Sequence, residues 1–175
     1  MDVPLDRCYW VVPGRLLAGE HPASRDEAHT RARLAALIRS GMRCFVDLTC
    51  DDERSYTGRY DLLLEKVASE TGIDARRESH PIPDMTAPGP DDMARILDAV
   101  DGSLGRGEAV YVHCLMGIGR TGAVVGCWLV RHGIASPAEA LDCLASLRGD
   151  QPSSLLRSPV TDDQCDLVRS WNRGL

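Results

Sequence analysis

The junction between residues 109 and 132 constrains this chain more than any other stretch. Ala109-Val110-Tyr111-Val112 is a compact apolar run that reads as a buried strand, and Gly122 to His132 is a longer one that reads as a buried helix. Between them lies His113-Cys114-Leu115-Met116-Gly117-Ile118-Gly119-Arg120-Thr121. A short loop therefore carries the chain from a strand's C-terminal end into a helix N-terminus, with a cysteine at one end of the loop and an arginine at the other.

Anions favour such a junction. The first N–H groups of a helix lack intrahelical partners and the helix dipole is positive there. A thiolate at Cys114 gains from the same field. Gly117 and Gly119 permit backbone angles that turn consecutive N–H groups inward around a tetrahedral oxyanion. Arg120 adds a planar fork of donors suited to two phosphate oxygens, and Leu115, Met116 and Ile118 complete the candidate binding loop. The Thr121 hydroxyl is placed to donate to the Cys114 sulfur when that sulfur departs. His113 precedes the nucleophile.

On these residues the sequence resembles the cysteine-dependent protein phosphatases, whose signature is His-Cys, five residues, then Arg followed by Ser or Thr. The Gly117–Gly122 ending is most similar to the compact dual-specificity branch. The resemblance implies Cys114 as nucleophile, Arg120 as phosphate ligand and a general acid elsewhere. Asp84, in His80-Pro81-Ile82-Pro83-Asp84, fits that role. Two prolines stiffen its approach, and Met85-Thr86-Ala87-Pro88-Gly89-Pro90 after it suits a loop that closes over substrate. Asp91 and Asp92 compete for the role, but they read as the acidic first turn of a helix after Pro90.

Ser158-Pro159-Val160-Thr161-Asp162-Asp163-Gln164 matches a stretch in which related phosphatases use the glutamine to place the hydrolytic water. Thr161 and Gln164 equally form a capping box opening a helix from Asp162 to Asn172, so both readings stand. The layout is also similar to that of kinase-associated phosphatases, a resemblance that implies a cysteine soon after the central strand. Here it is Cys50, a candidate redox partner for Cys114, with burial as the alternative. Cys127 and Cys143 read as core positions.

The remaining chain alternates strands and helices. Cys8 to Val12 and Arg15 to Ala18 read as strands, as do Arg43 to Leu48 and Ala75 to Ser79. A helix capped at Ser24 runs to Ser40, another spans Tyr60 to Glu70, and others span Asp91 to Leu104 and Pro137 to Leu147, the last capped by Ser136. This pattern implies an α/β fold: a central, mostly parallel sheet of about four or five strands with helices on both faces, in a single domain. The reactive loop then lies where such sheets bind ligands.

Composition narrows the class. With 43% hydrophobic and 26% charged residues the chain can bury a core without disulfides. The N-terminus has no apolar signal segment, and Gly122 to Val130 is too short for a membrane span. We expect a soluble, cytoplasmic monomer that needs no metal or other cofactor, since the seven cysteines and five histidines show no paired ligand spacing. A net charge of −6 gives no basic footprint for nucleic acid. The apolar Leu115, Met116 and Ile118, where polyphosphate phosphatases often carry lysines, favour a phosphoprotein partner. Tyr56, Tyr60 and His21 are candidates to line the entrance. Still open are a phosphoinositide or RNA 5′-phosphate substrate, a rhodanese or arsenate-reductase type of thiol enzyme, and a non-catalytic phosphoprotein-binding module.

Overall fold

The computed structural model describes residues 2–53, 58–149 and 152–172. Five strands form one sheet in the order β1-β2-β5-β3-β4. They are β1 (Cys8–Val12), β2 (Leu16–Gly19), β3 (Met42–Asp47), β4 (Arg76–Ser79) and β5 (Ala109–His113). β1 and β2 form an antiparallel hairpin, and every other pairing is parallel. The mostly parallel sheet expected from the alternating pattern is present, with β5 at its centre.

Among the described residues six α-helices cover the two faces: α1 (Glu27–Arg39), α2 (Asp61–Thr71), α3 (Pro90–Gly105), α4 (Gly119–Arg131), α5 (Ala140–Arg148) and α6 (Asp162–Ser170). One core joins Val110 and Val112 of β5 to α3, α4, α5 and α6 through Leu97, Val124, Leu144 and Val168. The other joins Tyr111 to α1 and α2 through Leu34, Leu37, Leu64 and Val67. Alternate β5 side chains thus serve opposite cores, which explains why the strand is buried throughout. β4, by contrast, is a half-buried edge strand, and its Arg76, Arg77 and Glu78 deter pairing with another chain.

α4 is the most buried helix because α6 packs directly on it. A Cβ on Gly126 would lie 2.8 Å from the Val168 methyls. Cys127 is fully buried here and Cys143 packs against the same core, as expected.

Two helix starts differ from the sequence reading. Asp26, two residues after Ser24, caps α1 by accepting from His29 N at 3.0 Å, and Ser24 instead accepts from Asp26 N. Asp26 wins because its carboxylate is charged and the dipole rewards charge. Ser136 stabilises a turn, donating to Glu139 Oε2 at 2.6 Å, and α5 begins only at Ala140. At the other end of the chain, the expected capping box is formed: Thr161 Oγ1 accepts from Gln164 N, and Gln164 Oε1 accepts from Thr161 N at 3.2 Å. Among the described residues no helix is long and apolar enough to cross a membrane.

Candidate active site

The loop from Cys114 to Ile118 leaves β5 and enters α4, as the sequence implies. Gly117 has φ 69°, in the left-handed region, and its α-carbon lies so close to the end of β2 that a Cβ would sit 2.6 Å from Gly19 O and 2.7 Å from Glu20 N. Only glycine fits. Gly119 serves differently: it lacks a positive φ, but a Cβ there would approach Gln164 Oε1 at 3.1 Å. The loop is pinned further by His21 N, which donates to Leu115 O at 3.1 Å, and by Ser158 Oγ, which donates to Ile118 O at 2.7 Å.

Cys114 is 2% exposed at the floor of this loop. Arg120 is equally buried, and its guanidinium is held on one side. Nη1 and Nη2 each donate to one Glu53 oxygen at 2.6 Å, and Nη1 also donates to Ile82 O at 2.9 Å. Burial disfavours the charge on Arg120, but the Glu53 carboxylate, with Cys114 and Asp84 behind it, outweighs that and holds the group cationic. Nη2 also meets Asp84 Oδ1 at 3.0 Å, whereas the buried Nε has no hydrogen-bond partner. The edge formed by Nε and Nη2 is thus the one open to two oxygens of an anion, and Asp84 occupies half of it.

Asp84 itself is 58% exposed at its side chain. Its loop is tied down through Gln164, whose Nε2 donates to Thr86 O at 2.9 Å while Oε1 serves the α6 cap. Gln164 therefore touches the acid loop, the cap and Gly119 together. Asp91 and Asp92 lie in the first turn of α3, where the sequence placed them.

Below the loop, His113 is fully buried. Its Nδ1 faces the Cys114 carbonyl at 3.4 Å and its Nε2 faces the Tyr60 hydroxyl at 2.6 Å. Since a carbonyl only accepts, Nδ1 carries the proton and Tyr60 donates to Nε2. Burial pushes His113 down to about 3, so the ring is neutral at physiological pH. Asp47 stands nearby, accepting from Thr49 and from Arg77 Nε at 2.7 Å. Burial alone would raise its carboxyl; His113, Thr49 and Arg77 more than offset this and hold it below the usual range. His21, Asp47 and His113 have potential ligand atoms within 4.8 Å of one another. Asp47 and His21 Nδ1, however, already accept from protein donors, and the Arg77 cation stands where a metal would be repelled.

Several sequence expectations need correction. Tyr60 and His21 do not line an entrance: both are buried beneath the loop, ring against ring at 5.2 Å. Tyr56 lies outside the described residues. Ile118 is 3% exposed, so it offers substrate a backbone amide and no side chain, while Leu115 is half-buried and Met116 45% exposed. The Thr121 hydroxyl is buried without a hydrogen-bond partner. Glu53 escaped the sequence reading. Its signal was the acidic run Asp51-Asp52-Glu53 immediately beyond a strand parallel to β5, where a carboxylate is within reach of the same rim.

With this geometry in place, comparison with known proteins decides the family. The family model described as polymorphic toxin system, DSP-PTPase phosphatase (Tc-R-P) matches residues 20–134. The chain belongs to this phosphatase family. The match runs from the loop after β2 through α4, so it includes Glu53, Asp84 and the whole cysteine loop. A dual-specificity protein phosphatase CDC14AB of Danio rerio is 27% identical over 166 residues, covering 84% of this chain and 22% of the relative. The chain thus spans less than a quarter of that relative's length. The structure of Tk-PTP in its active form superposes with a TM-score of 0.70 at 25% identity, covering 90% of each chain. Kinase associated phosphatase, with its catalytic-site cysteine replaced by serine, gives a TM-score of 0.70 at 22% identity over 87% of this chain and 83% of that one, a likeness of fold.

Proposed function

We propose that this chain hydrolyses phosphate monoesters on protein side chains, phosphotyrosine and also phosphoserine or phosphothreonine, through a phosphocysteine. The observation that carries the reading is the open Nε–Nη2 edge of Arg120 above buried Cys114 at a helix N-terminus. A phosphate entering the loop displaces Asp84 from Nη2 and takes Nε as its second donor. Asp84, released from Arg120 and reached by solvent, takes up a proton from it; Cys114 Sγ attacks phosphorus, the phosphorus–oxygen bond breaks, and Asp84 gives that proton to the departing oxygen. Water then attacks phosphorus, Asp84 takes its proton, and the sulfur–phosphorus bond breaks to regenerate the thiolate. Arg120 and the loop amides hold the equatorial oxygens throughout, which is the main demand of phosphoryl transfer. In this reading the unpaired Thr121 hydroxyl donates to the departing sulfur, and the second N–H of Gln164 Nε2, which Thr86 O leaves unused, orders the attacking water.

Met85, Met116 and Val160 are exposed around this site, an apolar rim that supports a peptide over a polyanion. All seven cysteines are free thiols, which suits a reducing, cytoplasmic setting. Cys50 belongs to the proposal as the residue that traps oxidised Cys114. Its backbone N–H donates to Glu53 Oε2 at 2.9 Å, putting it one residue's reach from the Arg120 clamp. Burial, then Glu53 and Asp52, raise its thiol, so the trap closes faster at alkaline pH. Peroxide inactivation followed by thiol rescue should recover the wild type better than Cys50→Ser; equal recovery removes this role.

The deciding experiment is hydrolysis of para-nitrophenyl phosphate by the wild type, Cys114→Ser and Asp84→Ala. Turnover abolished by the first substitution and strongly reduced by the second is expected. Activity that survives Cys114→Ser overturns the reading.

A further inference from the structure

A cavity of about 380 Å³ opens between the start of α1 and α2, lined by Ser24, Arg25, Glu27, Gly58, Arg59 and Lys66 among others. Three of these are cations in a chain whose net charge is −6. Their counter-charges are few. Arg59 meets Asp61 at 3.1 Å, and Glu27 stands at the rim. Glu70, one turn beyond Lys66, is engaged by Arg31. Among the described residues no carboxylate pairs with Arg25 or Lys66, and both are exposed. Leu62, 78% exposed, and Leu63 add an apolar wall.

The place of this cavity matters as much as its charge. Its two walls are the segments that hold the cysteine loop from below. His21, whose N–H binds Leu115 O, is four residues from Arg25, and Tyr60, whose hydroxyl binds His113, follows Arg59. Four residues of chain reach at most about 14 Å. Arg25 therefore lies within about 14 Å of His21, a span that three or four residues of an extended peptide also cover. A pocket of one charge sign on an oppositely charged protein also raises the local concentration of a complementary ligand.

We infer that this cavity is a second anion subsite, reading an acidic side chain three or four residues from the phosphorylated one, with Arg25, Arg59 and Lys66 as the recognising groups. The inference rests on the phosphatase reading and assigns that site a substrate class: phosphopeptides with acidic flanks.

The test compares a phosphotyrosyl peptide carrying glutamates three and four residues to either side with its alanine counterpart, using para-nitrophenyl phosphate as the reference. Two ion pairs of ordinary surface strength give about a tenfold preference in kcat/KM for the glutamate peptide, carried by KM. The preference should shrink toward unity at high salt. Arg25→Glu combined with Lys66→Glu should abolish it and leave para-nitrophenyl phosphate kinetics unchanged. Equal wild-type rates on the two peptides overturn the inference, as does an equal loss on both peptides in the double variant. Faster turnover of a short-chain phosphoinositide, with the same dependence on Arg25 and Lys66, overturns it in favour of a lipid headgroup. Binding of both peptides to Cys114→Ser protein supplies an independent readout. If para-nitrophenyl phosphate is not hydrolysed, the phosphatase reading fails, and peptide binding still reports on the cavity. Lys66 is the only lysine in the chain, so amine acetylation followed by mass should be slowed there by the glutamate peptide and not by the alanine one.

Discussion

The cysteine loop and the acid loop face each other across Arg120, and they are built by opposite rules. In the first, Cys114 and Arg120 are almost fully buried, and Tyr60, His21, Ser158 and Glu53 each fix one part of the loop from a different element. In the second, Asp84 is 58% exposed and its neighbour Met85 holds a left-handed φ of 61°; beyond the buried Ile82, Asp84 meets Arg120 and Thr86 O accepts from Gln164. Groups that must keep a charge in fixed geometry are locked into the core. Asp84, the group we propose gains and loses a proton, lies where solvent can reach it.

Arg120→Lys breaks the first region hardest. Lysine keeps the charge but cannot span two phosphate oxygens, nor accept the two-point grip of Glu53. A loss of about 10³-fold in kcat/KM is expected, near the upper end for removal of a preorganised charge-stabilising donor. A loss under tenfold would mean that charge alone suffices. Glu53→Gln comes next, because it leaves a buried cation without its carboxylate. Urea unfolding should show a loss of about 3 kcal/mol with an unchanged slope, together with reduced turnover. Asp84→Asn tests the other side of the contrast: about 10²-fold in kcat, with stability within about 0.5 kcal/mol of wild type. If Asp84→Asn destabilised the chain as much as Glu53→Gln, the two loops would not differ in kind.

The same contrast has a pH signature. His113 is held down to about 3 in the folded chain, against about 6.5 when exposed. Between those values the unfolded chain binds a proton that the folded one does not. His113's contribution is complete above about pH 6.5 and is lost as pH falls toward 3. Over that window stability should decline by up to about 1.4 kcal/mol per pH unit from this group. Denaturant unfolding at pH 7, 6 and 5 measures the slope, and His113→Asn should flatten it. An identical slope in that variant would place the proton uptake elsewhere.

How far the sequence reached follows from the range over which each signal acts. β5, its loop and α4 were legible because strand, glycine turn and helix are local, and the α6 cap because Thr161 and Gln164 are three residues apart. What stayed hidden was set by contacts between distant segments. Glu53 meets Arg120 across 67 residues, and Tyr60 meets His113 across 53. No spacing rule links such pairs, so Tyr60 read as an entrance residue when it is a buried support. Ile118 misled for a related reason: a loop position lists a side chain without saying which way it points.

Gln164 sits on the boundary between the two loops, and the smallest effect isolates it. Gln164→Ala removes the capping box and should cost about 1 kcal/mol, which says nothing about chemistry. Gln164→Glu is more informative, since glutamate serves the N3 position of a capping box as well as glutamine does. It keeps the oxygen that accepts from Val160 N and Thr161 N, but replaces the Nε2 that donates to Thr86 O with a second acceptor. Because Gln164 is only 1% exposed, the new carboxylate oxygen faces the Thr86 carbonyl unpaired, and a stability loss of about 1–3 kcal/mol is expected beside the kinetic effect. The acid loop loses its tether, so kcat should fall several-fold while the burst of the first chemical step persists, because phosphocysteine accumulates when the water is poorly placed. Wild-type kcat in Gln164→Glu would reduce this residue to a cap, and would leave the Arg120–Asp84 pair as the contact through which the rigid loop governs the exposed acid.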